Sequence, residues 1–371
     1  MTRTALVHTI ANLIILSVAT VAEIAFGIAN IDNLPLVCDS FCPSSTKMVT
    51  IMKILMLMAR RRRVQKCLDT LHDLYLSETI EENVAINARI SHFGRNITLC
   101  LAFLTNVTCF SYVAIPIGKY FVDTYSGTEY VRELPFKSVF PFDPYKSPVY
   151  EITYIILSYS GYITIAGIVG LDGLFVGLCL HISGQFQIIQ ANINTLVDRE
   201  IAPLLTQSST DDEFTKEQNE VIYRRLRSYV RRQIVTISLC EEMVEIFKPS
   251  VLMHFISAAF VICFSSVNLI LSSGITVFLY ANYIGAATTQ LFLYSIGGTS
   301  ISTSSSEICN SAYFFEWHKS NKDVRRLLLM LMMRAQKESG VFVPFFQACL
   351  PTFATILRTA GSYIALLKTF L

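Results

Sequence analysis

An all-α membrane protein with seven helical crossings is the fold class this sequence predicts, and three observations carry it. The 371 residues are 52% hydrophobic and only 16% charged, and a mean hydropathy of +0.48 describes more apolar surface than one soluble core can hide. Apolar stretches of about twenty residues recur along the chain, the length at which a helix crosses a hydrocarbon core with its backbone hydrogen bonds closed internally. The basic residues collect in alternate segments between those stretches, as they do on the cytosolic side of multi-pass proteins.

Taken in order, Leu6 to Ala29 is the first crossing. It is too long for the apolar core of a signal peptide, and no small-residue cleavage site closes it. The second, 36–59, is weaker because it carries Asp39, Lys47 and Lys53. Residues 97–118 make the third, 149–171 the fourth with helix continuing toward Thr195, and 247–272 the fifth. The sixth is 275–295 and the seventh is 341–371. Little sequence remains for a separate soluble domain, so residues 1–371 read as one membrane domain, with 172–246 and 296–340 as its cytosolic anchor elements.

Orientation follows from charge. The loop after the second crossing holds Arg60, Arg61, Arg62, Arg63 and Lys66, and the one after the fourth holds Arg199, Arg224, Arg225, Arg231 and Arg232. The segment after the sixth adds Lys319, Arg325, Arg326 and Arg334, whereas Lys119 to Lys146 has few basic residues, matched by Asp123, Glu129, Glu133 and Asp143. The basic segments are therefore cytosolic, the N-terminus is inside and the C-terminus outside. That is the reverse of a G-protein-coupled receptor.

Several function classes drop out. A net charge of +2, with basic residues parted by apolar runs, argues against a nucleic-acid binder. The ten cysteines have no zinc-ligand spacing, and only Cys38 and Cys42 sit close together in a loop on the oxidising side. Glu241, Glu242 and Glu245 resemble paired carboxylates, but no histidine, metal set or phosphate loop accompanies them, so they are expected to balance Arg231 and Arg232. No enzyme activity and no cofactor are expected. A secondary transporter would show paired, Gly/Pro-broken repeats, which are not visible.

The cytosolic segments have helical periodicity. Val221, Leu226, Val230, Ile234 and Ile237 recur among charges, so the fifth helix should begin well below the membrane. Val324, Leu327, Leu328, Leu331 and Met332 form a second stripe, broken at Ser339-Gly340. Such a stripe fits either an assembly platform or a helix lying on lipid.

The segment Arg334-Ala335-Gln336-Lys337, an apolar run and then Ser362-Tyr363 resemble the C-terminal signature of insect odorant receptors. The cluster Tyr313, Phe314, Phe315 and Trp317, and Pro141-Phe142-Asp143 before the fourth crossing, match as well. The resemblance spans nearly the whole chain and is densest over its last seventy or so residues; the departure is an N-terminal segment shorter than family members usually carry. It implies a seven-span subunit of a tetrameric, ligand-gated cation channel in the plasma membrane of a sensory neuron, working with a shared co-receptor subunit. The short segment between Arg199 and Arg232 is similar to that of ligand-tuned subunits. The related gustatory receptors share the topology but not the signature at Ser362-Tyr363.

Two sets of candidate residues follow. In the last helix Thr359, Tyr363, Leu366 and Phe370 fall on one face. The spacing alone fits either a pore wall or packing against the fifth or sixth span. The resemblance implies a pore, with Leu366 and Phe370 as the narrow ring and Thr369 near the mouth; an apolar ring gates by dewetting. Arg358 lies in the same span and is expected to face protein or water. For the ligand, the resemblance implies an apolar pocket among spans two, three, four and six, taking small volatile molecules. The candidates are Tyr280 and Tyr283 from span six, Ile155, Tyr159 and Tyr162 from span four, Cys109, Tyr112 and Val113 from span three, and Met48, Ile51 and Met52 from span two. Each also fits plain helix packing.

Overall fold

The computed structural model describes residues 3–127, 131–201 and 213–368. It is built of nine α-helices among the described residues: α1 (Arg3–Ala29), α2 (Leu34–Leu76), α3 (Glu81–Ser126), α4 (Val149–Gly167), α5 (Gly173–Asn194), α6 (Lys216–Leu271), α7 (Ile275–Phe314), α8 (Lys322–Ala335) and α9 (Leu350–Lys368). Asn33 caps α2, a Thr215–Gln218 capping box opens α6, and Asn321 caps α8, each supplying an acceptor to an otherwise orphaned N–H.

Four stretches are long and apolar enough to cross a membrane by composition alone: Leu6–Ala29, and windows within Glu81–Ser126, Val149–Asn194 and Lys216–Leu271. The helices that fall short do so for legible reasons. α2 carries buried charge, α7 is rich in serine, threonine and glycine, and α9 breaks its apolar run with Arg358, three threonines and a serine.

Most boundaries drawn from hydropathy stop too early, because apolar length measures the bilayer and not the helix. The Arg60–Arg63 run is not a loop: α2 continues through it to Leu76. Similarly α3 extends beyond 97–118 at both ends and α7 runs on to Phe314. The fourth crossing passes through a π-helical turn, Ile168–Asp172, into α5. The seventh departs the other way. Its first residues, Phe342–Val343 and Phe346–Gln347, form a short antiparallel hairpin (β1 and β2) rather than helix, and α9 starts at Leu350. Pro344 interrupts any helix through 341–346, while Pro351 sits in the first turn of α9, where its missing N–H costs nothing. Cys38 and Cys42 are not in a loop; both are buried free thiols on α2.

The apolar stripe of α8 is covered by protein. Val324, Leu328, Leu331 and Ala335 are buried in one continuous core with the lower parts of α6 and α7, including Ile222, Leu226, Ile301, Ile308 and Ala312. In water, burying each large side chain stabilises such a platform by about 1.5–3 kcal/mol. The expected pairing of Glu242 with Arg231 and Arg232 gives way to cross-helix contacts. Glu242 takes a bidentate bond from Arg63 of α2 at 2.6 and 3.0 Å, and Arg232 reaches Glu78 at 2.6 Å and Gln185 at 2.7 Å. Charges on neighbouring helices are closer than those along one helix surface.

A second, smaller core joins Ala19, Tyr112, Leu134, Phe136, Leu157 and Leu279 under the α3–α4 segment. The candidate site lies where packing between the two cores is interrupted.

Candidate functional site

A cavity of about 100 Å³ opens among α2, α3, α4, α6 and α7. Each helix contributes a stripe at helical spacing: Pro43, Thr46, Lys47, Thr50 and Lys53 from α2; Thr105, Thr108, Cys109 and Tyr112 from α3; Gly161, Thr164 and Ile165 from α4, with Ile168 beyond it. From α6 come His254, Ser257, Ala258 and Val261, and from α7 Tyr283, Ala286, Ala287 and Gln290. Pro43 and Lys53, the outermost lining residues of α2, are ten residues apart, so at 1.5 Å per residue the lined wall is roughly 15 Å long. Since one water needs about 10–15 Å³ on this scale, the space suits a molecule on the order of ten heavy atoms.

The two ends differ. The end toward the α3–α4 segment is aromatic: Tyr112 stacks on Phe136 with centroids 5.2 Å apart and meets Tyr283 edge-on at 6.0 Å. Lys47 Nζ lies 3.9 Å from the Phe136 centroid and pairs with Glu23 of α1, both side chains almost fully buried. The Tyr283 hydroxyl donates to the Cys42 carbonyl at 3.0 Å and shares a bond of 2.8 Å with the Thr46 hydroxyl. The opposite end is polar. Asp172, in the π-helical turn, accepts from Lys53 Nζ at 2.6 Å, from the Tyr294 hydroxyl at 2.6 Å and from the Gln290 amide. His254 stacks on Tyr294 with centroids 4.3 Å apart.

The threonines are less polar than their names. Thr50, Thr105, Thr108 and Thr164 each donate to a carbonyl one turn earlier on their own helix at 2.8–2.9 Å. Their hydroxyl protons are spent within the helix backbone.

Of the residues expected from the sequence, Cys109, Tyr112 and Tyr283 line this cavity. Tyr280 is buried beside it and donates to Asp39 at 2.9 Å, and Val113 gives its carbonyl to the Tyr154 hydroxyl. Met48, Ile51 and Met52 lie off the wall, on the other faces of α2, and Met48 is exposed. Ile155, Tyr159 and Tyr162 are also exposed, and Tyr159 bonds Asn12 of α1 at 3.2 Å. The signal that orients α2 is present in the sequence: Lys47 and Lys53 must turn toward protein at this depth, which brings Thr46 and Thr50 with them. His254, the one histidine of its apolar stretch, lies in the wall outside the set expected from the sequence.

On α9, Phe353, Ile356, Leu357 and Ala360 pack into the main core, Phe353 against Phe292 of α7 at 5.6 Å. Thr359, Tyr363 and Leu366 occupy the other side and are exposed in the single chain, so packing on α6 and α7 is made by a different face. Arg358 shares that exposed side and has no ion pair among the described residues. Thr369 and Phe370 lie outside the described residues.

Comparison with known proteins agrees with this architecture. The 7tm Odorant receptor family model matches residues 33–361. Odorant receptor 22c of Drosophila melanogaster is 34% identical over 361 residues, covering 95% of this chain and 87% of the relative. Odorant receptor 10a of the same organism is 30% identical over 367 residues, covering 96% and 88%. Among solved structures, the insect olfactory receptor OR5 from Machilis hrabei superposes with a TM-score of 0.81 over 99% of this chain and 89% of that one, at 13% identity. The same receptor in complex with eugenol gives a TM-score of 0.80 over 100% and 91%, also at 13% identity. With the family match across most of its length and the fold in agreement, this chain belongs to the seven-transmembrane odorant receptor family.

Proposed function

We propose that the chain is the ligand-tuned subunit of an odorant-gated cation channel, in which a small volatile molecule occupies the cavity among α2, α3, α4, α6 and α7 while α9 faces the ion path. The observation that carries this reading is the largely apolar cavity at the meeting point of five helices in a member of the odorant receptor family. The OR5 complex with eugenol, a small aromatic molecule, supports a ligand of this size class.

The mechanism follows from the contacts. The cavity wall and the α9 packing surface are parts of the same helices: α7 supplies Tyr283 and Gln290 to the first and Phe292 to the second. A ligand that binds better when α6 and α7 stand slightly apart shifts the population toward an arrangement with α9 displaced, and only its differential affinity drives that shift. Leu366, exposed beside Tyr363, then leaves a constriction that hydrated cations enter once it widens. The uncovered side of α9 fits assembly with further subunits, a co-receptor subunit among them.

Co-expression with the co-receptor in cells lacking other odorant receptors, with current recorded across an odorant panel, tests the reading. Ligand-dependent cation current is the expected result; silence across the panel from a subunit labelled at the cell surface is the result that rejects it.

A further inference from the structure

The cavity has an uneven supply of hydrogen bonds, and this bears on which ligands it takes. At its polar end nearly every group is committed to a neighbour. Lys53, Gln290 and Tyr294 all donate to Asp172, and Thr105 donates to the Leu101 carbonyl. Among the described residues His254 is the buried exception. It borders the cavity, is only 4% exposed, and its Nε2 is buried with no hydrogen-bond partner. Stacking on Tyr294 holds the plane of the ring, and Tyr294 is in turn held by Asp172.

An unpaired buried ring nitrogen is a cost that the empty receptor bears and that a complementary ligand relieves. The Tyr112 hydroxyl, at the other end, is also buried and unpaired, but it is framed by the Phe136 and Tyr283 rings, which suit hydrocarbon. Resting on the function proposed above, the geometry points to His254 as a hydrogen-bonding subsite for the single polar group, a hydroxyl or a carbonyl, of a small ligand whose hydrocarbon body lies against Tyr112, Phe136 and Tyr283. The neutral imidazole presents one donor and one acceptor nitrogen, so it serves either group. The receptor is thereby tuned to oxygenated molecules over hydrocarbons of the same shape.

The test uses matched pairs in which a hydroxyl or carbonyl is exchanged for an isosteric hydrocarbon group, such as 4-methylphenol with p-xylene and acetophenone with cumene. Half-maximal concentrations are recorded from the full chain co-expressed with the co-receptor, with surface labelling in parallel. The wild type is expected to favour the oxygenated member by a factor of roughly 5–150, the worth of one buried hydrogen bond recovered. His254→Phe should collapse that ratio by weakening the oxygenated response more than the hydrocarbon response, and His254→Gln, which retains a donor and an acceptor, should restore part of it. Equal wild-type responses to both members overturn the subsite without any variant, as does a His254→Phe shift of equal size for both, which would mean that the histidine is structural or holds a water of its own. Responses to hydrocarbons alone overturn the subsite and leave the odorant-gated reading standing. A surface-labelled wild type silent to every pair overturns both.

Discussion

The buried pair Lys53–Asp172 is a point at which a single change should reach the whole fold. The two side chains are 4% and 1% accessible and 2.6 Å apart, and Asp172 also receives Tyr294 and Gln290. Removing one partner of a buried pair strands the other charge, at a cost of about 3–5 kcal/mol, whereas removing both by apolar or neutral groups of similar size is often close to neutral. Asp172→Asn keeps the shape and one acceptor for Tyr294 but leaves the Lys53 ammonium unmatched in a low-dielectric floor. Lys53→Met strands the carboxylate, which keeps its two remaining donors and is therefore hurt less. Against a total stability of about 5–15 kcal/mol, either loss is large. The expected order is wild type, then the double variant, then Lys53→Met, then Asp172→Asn, read as the melting midpoint of detergent-purified protein and as surface labelling in cells. The decisive quantity is the coupling between the sites, expected at about 2–4 kcal/mol with the double variant recovering at least half of the Asp172→Asn loss. If the losses simply add, or if Asp172→Asn sits within about 0.5 kcal/mol of wild type as an unimportant surface change would, the network does not hold the helices together.

Four further outcomes follow from particular contacts. A Cβ at Gly298 of α7 would stand 1.8 Å from the Ala348 carbonyl oxygen behind the β1–β2 hairpin, so Gly298→Ala should abolish surface expression; normal surface levels would refute the close packing. At Gly161 the added methyl would meet Cys109 Sγ at 2.9 Å and the Phe136 ring at 3.1 Å, intruding on the aromatic end of the cavity, so Gly161→Ala should cost roughly 10-fold in sensitivity to the largest active ligand of a homologous series and less for the smallest. On the proposal that α9 faces the ion path, Leu366→Ser should raise ligand-independent current, because a hydrated constriction no longer excludes ions; unchanged basal current would remove Leu366 from the proposed pore. Finally, burial holds the His181 imidazole, bonded to the Tyr75 hydroxyl between α5 and α2, below its usual range. The unfolded chain then binds the proton more readily, so this contact's stability is present above about pH 6.5 and declines as pH falls from there toward the lower folded value. Amide-exchange protection across residues 71–76 and 178–184, taken relative to the intrinsic rate at each pH, should fall over that interval in wild type and less so in His181→Phe.

All-helical class, membrane character and family were legible in one dimension, because each rests on a local property. Twenty apolar residues satisfy their own backbone in lipid whatever their neighbours, and the signature ending in Ser362-Tyr363 is contiguous. The early start of the fifth helix was legible for the same reason: its periodicity from Val221 to Ile237 runs unbroken into α6. The hairpin before α9 was hidden, since Val341 to Phe346 is as apolar as the helix that follows and only Pro344 marks the break.

What the chain alone did not determine is which face of each helix turns inward. A lipid-facing leucine and a cavity-facing one look alike where the solvent is as apolar as the core, so Met48 and Ile155 were as plausible as Thr46 and Ile165. Buried charge is what breaks that symmetry. Lys47 needs Glu23 from α1, and Lys53 needs Asp172 from beyond α4, partners 24 and 119 positions away. Those pairings rotate α2 until its threonines line the cavity and leave His254 unpaired beside it, an arrangement that exists only once five helices have met.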